Sequence, residues 1–231
     1  MVTLYQQHKQ SKMSFEKSKH TPEELVNILF DTTVNKIIPL TAKGVSSGSK
    51  LFGAAIFKKD TLELVHASTN NEQVSPLLHG ETNCIQEFFT QIPKESRPSP
   101  KDCVFYATHE PCSLCLSAIT WAGFNEFYYL FTYEDSRDEF AIPYDIQILE
   151  EVYRVKAPGD TEESFNNRPL YNRDNHFFTS RSVADVVDTM EASKIDEFKQ
   201  RINEIKKQYQ ELSKTYQNGK AKGVDSSAVW A

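Results

Sequence analysis

The stretch His79-Gly80-Glu81, followed about thirty residues later by Pro111-Cys112-Ser113-Leu114-Cys115, decides how the rest of the chain must fold. One imidazole and two thiols are the donor types that zinc prefers. Three protein ligands leave the fourth tetrahedral position to water, which is the arrangement of a catalytic site and not of a closed structural one. The sequence therefore predicts that His79, Cys112 and Cys115 bind one zinc ion.

Both motifs are predicted to open helices. A C-x-x-C spacing at a helix start places the two sulfurs on neighbouring points of one face, because three residues turn through about 300°. The unpaired amides and positive dipole end at that position favour the thiolate, the form that binds metal. Glu81, two residues after His79, is the candidate proton shuttle for a water activated by zinc.

Each motif alone is weak evidence. A single H-x-E is common and mostly structural, and a C-x-x-C pair is also a redox motif. Here no thioredoxin-like βαβ pattern precedes the cysteines, and the H-x-E supplies the missing metal ligand. A closed structural zinc site would need a fourth cysteine or histidine. Cys84, inside the helix that His79 opens, and Cys103, on a predicted strand, are on the wrong predicted elements to be the fourth ligand, and we expect both to be buried thiols. This leaves His109 as the candidate.

Composition limits the substrate and the compartment. The chain has 231 residues and a formal net charge of −6, which argues against a long polynucleotide and favours a small substrate. It shows no secretory signal and no apolar run of roughly 18 residues, so it predicts neither export nor membrane spanning. The expected compartment is the reducing cytoplasm, with the nucleus as an alternative.

Hydrophobic periodicity divides the chain into four parts. Residues 1–20 are polar and without a period, and are predicted to be mobile. Residues 21–180 form the zinc domain, read as helix, strand, strand, helix, strand, helix and strand, with an irregular polar loop at 156–176. Residues 181–217 form a helical extension, and residues 218–231 a flexible tail.

The C-terminal helix carries an apolar seam at alternating steps of three and four residues. Its members are Ile195, Phe198, Ile202, Ile205, Tyr209, Leu212 and Tyr216. The seam is consistent with packing on the chain's own core and with a helix pair between two subunits. Phe177, Phe178 and Trp230 are aromatic candidates for covering the site.

At these residues the sequence resembles the cytidine deaminase-like superfamily. Its Glu110-to-Ala122 segment is most similar to the guanine deaminase and tRNA adenosine deaminase branch, and His79-Gly80-Glu81 resembles fungal cytosine deaminase. The likeness covers roughly residues 21–150. It implies an α/β fold of three αβα layers around a mixed five-stranded sheet, usually assembled as a homodimer, with the long C-terminal helix as an addition.

The resemblance also implies roles for individual residues. His79, Cys112 and Cys115 correspond to the zinc ligands and Glu81 to the proton shuttle. Gly80 and the loop at Glu110 would border the substrate ring. An asparagine that closes the second strand contacts the base in this branch, and Asn70 and Asn71 are both candidates for that position.

The sequence thus predicts a zinc-dependent hydrolytic deaminase that releases ammonia from a nucleobase or nucleoside, guanine-like or cytosine-like. One alternative is a tRNA adenosine deaminase, which the acidic composition and the lack of a basic, aromatic-rich stretch argue against. The other is a non-catalytic zinc-binding module that interacts through its C-terminal helix.

Overall fold

The computed structural model describes residues 19–228. The predicted mobile segment at 1–20 therefore lies almost entirely outside the described residues, and Trp230 lies outside them as well.

A mixed sheet of five strands forms the centre of the domain: Gly53–Lys58 (β1), Leu64–Thr69 (β2), Cys103–His109 (β3), Glu126–Phe131 (β4) and Thr179–Ser182 (β5). The strand order is β2-β1-β3-β4-β5. β1 is antiparallel to β2 and to β3, whereas β3, β4 and β5 are parallel. β2 and β3 consequently run in the same direction and end at the same edge of the sheet.

Helices connect these strands and cover them: Pro22–Thr32 (α1), Ile38–Ser46 (α2), Gly80–Gln91 (α3), Ser113–Ala122 (α4), Tyr133–Asp138 (α5), Tyr144–Ile148 (α6), Glu162–Asn166 (α7), Val183–Val187 (α8) and Ala192–Ala221 (α9). A π-helical turn at Thr33–Ile37 joins α1 to α2, and another at Leu149–Tyr153 extends α6. α1 begins with the capping box expected from the sequence, in which Thr21 and Glu24 exchange backbone and side-chain hydrogen bonds.

Both faces of the sheet are buried, as the αβα prediction requires. One face packs against α1, α8 and α9, in a core that includes Phe30, Tyr106 and Val186. The other face packs against α3 and α4 through residues such as Phe88, Phe105 and Ile119, and the buried Cys84 and Cys103 thiols lie in this second core. The predicted three-layer fold with a mixed five-stranded sheet and a long C-terminal helix is confirmed.

The seam of α9 packs on the chain's own core. Phe198, Ile205, Tyr209, Leu212 and Tyr216 are buried in the core that also holds α1, and the remaining seam residues pack against its margin. This arrangement confirms the intramolecular interpretation of the seam. It leaves the apolar stripe of α9 covered and unavailable for a helix pair between subunits.

Two segments differ from the sequence prediction. The one-turn helix α7 lies inside the stretch 156–176, which was expected to be irregular throughout. α9 continues to Ala221, beyond the expected end at 217, and Asp225 and Ser227, within the predicted tail, hydrogen-bond to the loop after β2. A polar Gly/Ser/Lys composition does not reveal such tertiary contacts. Within residues 19–228, no helix combines the length and apolar character needed to cross a membrane.

Burial of the α9 seam predicts a stability effect. Ile205→Ala should lower the free energy of unfolding by about 2–5 kcal/mol, because it leaves a cavity in the main core. The control Gln208→Ala, at an exposed position on the same helix, should change it by less than about 0.5 kcal/mol. Urea denaturation followed by circular dichroism measures both. Equal stabilities for the two variants would contradict this packing.

Candidate metal centre and active site

Two helix starts bring the three predicted ligands together. His79 is the N-cap residue of α3 and Cys112 is the N-cap residue of α4, while Cys115 lies in the first turn of α4. α3 follows β2 and α4 follows β3, and these strands end at the same edge of the sheet. The helices therefore begin side by side, as the motif spacing requires.

The distances fit a single metal ion. The Nδ1 atom of His79 lies 3.4 Å from Cys112 Sγ and 3.8 Å from Cys115 Sγ, and the three donor atoms all lie within 4.8 Å of one another. Tetrahedral zinc with ordinary bond lengths needs donors about 3.5–3.8 Å apart. The group has three members among residues 19–228, so a fourth coordination position is open to a non-protein ligand.

His109 does not complete a closed zinc site. Its ring packs 3.6 Å from the ring of Phe52 and also contacts Phe131, Phe140 and Tyr209. Burial in this aromatic cluster holds the pKa of His109 well below its usual value, so the ring is neutral. The structural-zinc alternative therefore lacks its fourth ligand within the described part of the chain.

The electrostatics of the triad favour a metal-binding thiolate. Hydrogen bonds from Cys115 and from His79 hold the pKa of Cys112 well below its usual value. Burial, together with the negative charge of Cys112, raises the pKa of Cys115 well above it. Burial alone would lower the pKa of His79, but the hydrogen bond and charge of Cys112, with the charge of Glu81, raise it to about 9.

Glu81 lies beside the triad, as predicted. Its side chain is only 4% exposed, and its Oε2 accepts a hydrogen bond from Cys115 Sγ at 3.3 Å. Burial, and then the negative charge of Cys112, raise the pKa of Glu81 to about 7. A carboxyl group with a pKa near neutral can both accept and donate a proton.

The structure distinguishes the two candidate asparagines. Asn70, which is 3% exposed, accepts a hydrogen bond from the Gly80 amide through Oδ1 at 3.0 Å, and its Nδ2 has no protein partner. A buried donor without a partner costs about 1–3 kcal/mol, so such an atom is a candidate to bind a ligand. Asn71 closes the loop instead, because its backbone N–H donates to the Leu78 carbonyl at 2.8 Å.

The Glu110 side chain is already hydrogen-bonded to other protein groups next to the site. Its carboxylate accepts hydrogen bonds from the Tyr171 hydroxyl at 2.9 Å and from Arg173 Nη2 at 3.1 Å. It borders a cavity of about 1140 Å³ beneath the segment 166–175, and the three metal-ligating side chains do not line this cavity. The Glu110 side chain therefore supports the wall beside the site, while Tyr133 holds Pro111 through a 2.5 Å hydrogen bond to its carbonyl.

Asp145 of α6 is the residue that sequence reasoning missed. Burial, and then the charge of Cys112, raise the pKa of Asp145 to about 8, while the positive charge of His79 acts in the opposite direction. The Asp145 carboxyl group is thus coupled electrostatically to the triad. Asp145 belongs to neither motif, and no spacing in the sequence links it to them.

Fold and site together define a zinc-dependent deaminase domain, with H-x-E at one helix start and P-C-x-x-C at the other. Residues 32–131, which contain every residue of both motifs, match the family model described as the cytidine and deoxycytidylate deaminase zinc-binding region. The predicted resemblance to the cytidine deaminase-like superfamily is confirmed over this segment.

Two relatives found by sequence similarity carry names of this class. The chain is 28% identical to the guanine deaminase of Bacillus subtilis over 111 residues, which are 47% of this chain and 68% of the relative. It is 33% identical to the cytosine deaminase of Candida albicans over 85 residues, which are 36% of this chain and 53% of the relative. A solved structure of B. subtilis guanine deaminase is similar at 26% identity with a TM-score of 0.44, covering 63% of this chain and 86% of that one.

The close approach of two backbones explains the glycine between His79 and Glu81. A Cβ atom at Gly80 would lie 2.7 Å from Gly53 Cα and 2.8 Å from the Phe52 carbonyl oxygen. Since both contacts are to backbone, no side-chain rotation can relieve them. Gly80 therefore lets α3 begin directly against β1.

This contact predicts the effect of Gly80→Ala. The variant should bind zinc more weakly by about tenfold or more, because the shifted helix start moves His79 and Glu81 away from the cysteines. Competition with a chromophoric chelator measures the zinc affinity. Gly159→Ala is the control, since a Cβ there meets no atom within 4 Å, although its positive φ adds local strain. Unchanged zinc affinity in Gly80→Ala would contradict the backbone constraint.

Proposed function

We propose that the chain is a hydrolytic deaminase in which His79, Cys112 and Cys115 hold one zinc ion and Glu81 carries the protons. The observation that supports this most directly is the Glu81 carboxyl group, buried at hydrogen-bonding distance from a metal ligand. When bound by these ligands, zinc supplies a Lewis acid and makes water nucleophilic at neutral pH. Glu81 would accept a proton from that water and pass it to a ring nitrogen. It would then take the second proton from the hydroxyl group added to the ring carbon and give it to the departing amino group, which leaves as ammonia.

The polar groups around the triad support a ring substrate of the guanine or cytosine type. The free Nδ2 of Asn70 is a donor, and it would bind the carbonyl oxygen that both of these bases carry and adenine lacks. Asp145 offers a carboxyl group that would accept a hydrogen bond from a ring N–H. The names of the two sequence relatives, guanine deaminase and cytosine deaminase, agree with this substrate class.

The test is Glu81→Gln in the zinc-loaded protein. Ammonia release should fall by at least about 10²-fold, the scale of a lost general acid and base, while zinc stays bound. Glu87→Gln is the matched control, because Glu87 lies on the same helix and bonds to His66. A screen over purines, pyrimidines, their nucleosides, pterins and tRNA identifies the substrate. Undiminished ammonia release by Glu81→Gln would refute the assigned role.

We further propose that the protein is a homodimer in the cytoplasm. Leu114 and Trp121 lie two turns apart on the outer face of α4, and Trp121 is 91% exposed, as is unusual for so large an apolar side chain on a monomer. The four cysteines are free thiols, which fits a reducing compartment such as the cytoplasm or nucleus.

Because Trp121 is exposed in the single chain, a charged substitution at this position tests whether it lies in a dimer interface. Trp121→Glu should shift the mass measured by light scattering from two chains to one, because a carboxylate cannot be buried there without a partner. Phe177→Glu, at another exposed aromatic residue, should leave the mass unchanged. A wild-type protein with the mass of one chain would exclude the dimer.

A further inference from the structure

The loop between β2 and α3 holds two residues of the site at its ends. Asn70 begins it and His79 follows it, and the loop is closed by the hydrogen bond from the Asn71 amide to the Leu78 carbonyl. Asn70 is fixed at its backbone by donation to the Phe52 carbonyl at 3.1 Å. The position of the free Asn70 amide group therefore depends on how the base of this loop is held.

Glu72 anchors the loop from inside the protein. It is fully buried, and its carboxylate accepts hydrogen bonds from the backbone N–H of Lys50 at 2.5 Å and from Lys50 Nζ at 2.9 Å. The Glu72 amide donates to Ser49 Oγ at 3.2 Å. A buried carboxylate with two such contacts, next to a backbone N–H that is also bonded, fixes the loop that carries it. Losing either member of the Lys50–Glu72 ion pair would leave an uncompensated buried charge.

The C-terminal segment 224–227 holds the same loop from outside. The Glu72 carbonyl accepts hydrogen bonds from the backbone N–H and hydroxyl of Ser227, and Gln73 Nε2 donates to the Asp225 carbonyl at 3.1 Å. At Gly48 a Cβ atom would lie 2.6 Å from the Asp225 carbonyl oxygen, so the chain before β1 also packs closely against segment 224–227. These contacts come from residues well beyond the matched family region at 32–131.

We propose that Glu72 is a positioning residue for the deamination: held by Lys50 on one side and by the C-terminal Ser227 on the other, it fixes the loop that presents Asn70 to the substrate ring. The inference rests on the proposed function and deepens it. It makes the segment after α9 a support for the substrate site, although that segment lies outside the H-x-E and P-C-x-x-C motifs.

Steady-state kinetics with guanine and cytosine as probes test this role. Glu72→Gln should raise KM about tenfold, the scale of one misplaced hydrogen bond, with kcat changed by less than about threefold and zinc fully bound. Ser227→Ala should shift KM in the same direction by a smaller factor. Glu63→Gln, which breaks the exposed ion pair with Lys58, is the matched control and should change nothing.

A double-variant comparison separates positioning from general weakening. If Glu72 acts through Asn70, Glu72→Gln should leave KM unchanged in an Asn70→Ala background. Independent, multiplicative effects would overturn the proposal, as would wild-type KM values for both Glu72→Gln and Ser227→Ala. If Glu72→Gln fails to fold, the same comparison is made with Ser227→Ala in the wild-type and Asn70→Ala backgrounds. If the wild-type chain releases ammonia and the Glu72 and Ser227 variants keep its KM, the deaminase function stands and only the positioning role is refuted. If the wild-type chain releases no ammonia, the deaminase function and the positioning role are both refuted.

Discussion

One geometric constraint organises this molecule. To bind a single zinc ion, an imidazole nitrogen and two sulfurs from two separate helix starts must lie within about 4 Å of each other. His79 Nδ1 meets that requirement at 3.4 and 3.8 Å from the two sulfurs. The sheet makes it possible, because β2 and β3 run in the same direction on either side of β1 and deliver both helices to one edge. Helix α3 can then begin against the β1 backbone because Gly80 has no side chain.

The same constraint shapes the chemistry around the triad. The negative charge of Cys112 raises the pKa of Glu81, and the charges of Cys112 and Glu81 both raise the pKa of Asp145. Such crowding is unfavourable in a structural core and is typical of a site that holds a cation or moves protons. His109 is only three residues from Cys112 in the sequence, yet it is neutral and surrounded by aromatic rings. The cluster of charged groups therefore does not extend to His109.

The sequence predicted the parts of the fold that depend on local pattern. The motif residues fixed the ligand set, the apolar periods located the strands and helices of the deaminase core, and the seam located α9. Contacts set by three-dimensional packing were not predictable. Asp145 is coupled to the triad from a helix that neither motif includes, and Ser227 bonds to Glu72 because α9 carries the chain back to the loop after β2. Neither contact produces a hydrophobic period or a motif that could be recognised in the sequence.

X-ray absorption at the zinc edge of the purified protein tests the central claim most directly. The account predicts about one zinc ion per chain, bound by two sulfurs near 2.3 Å and by two lighter donors near 2.0–2.1 Å, one of them not from the protein. It also predicts that Cys115→Ser removes one sulfur from this shell. A protein that binds no zinc, or a shell in which three or four sulfurs or a second histidine close the site, would contradict it.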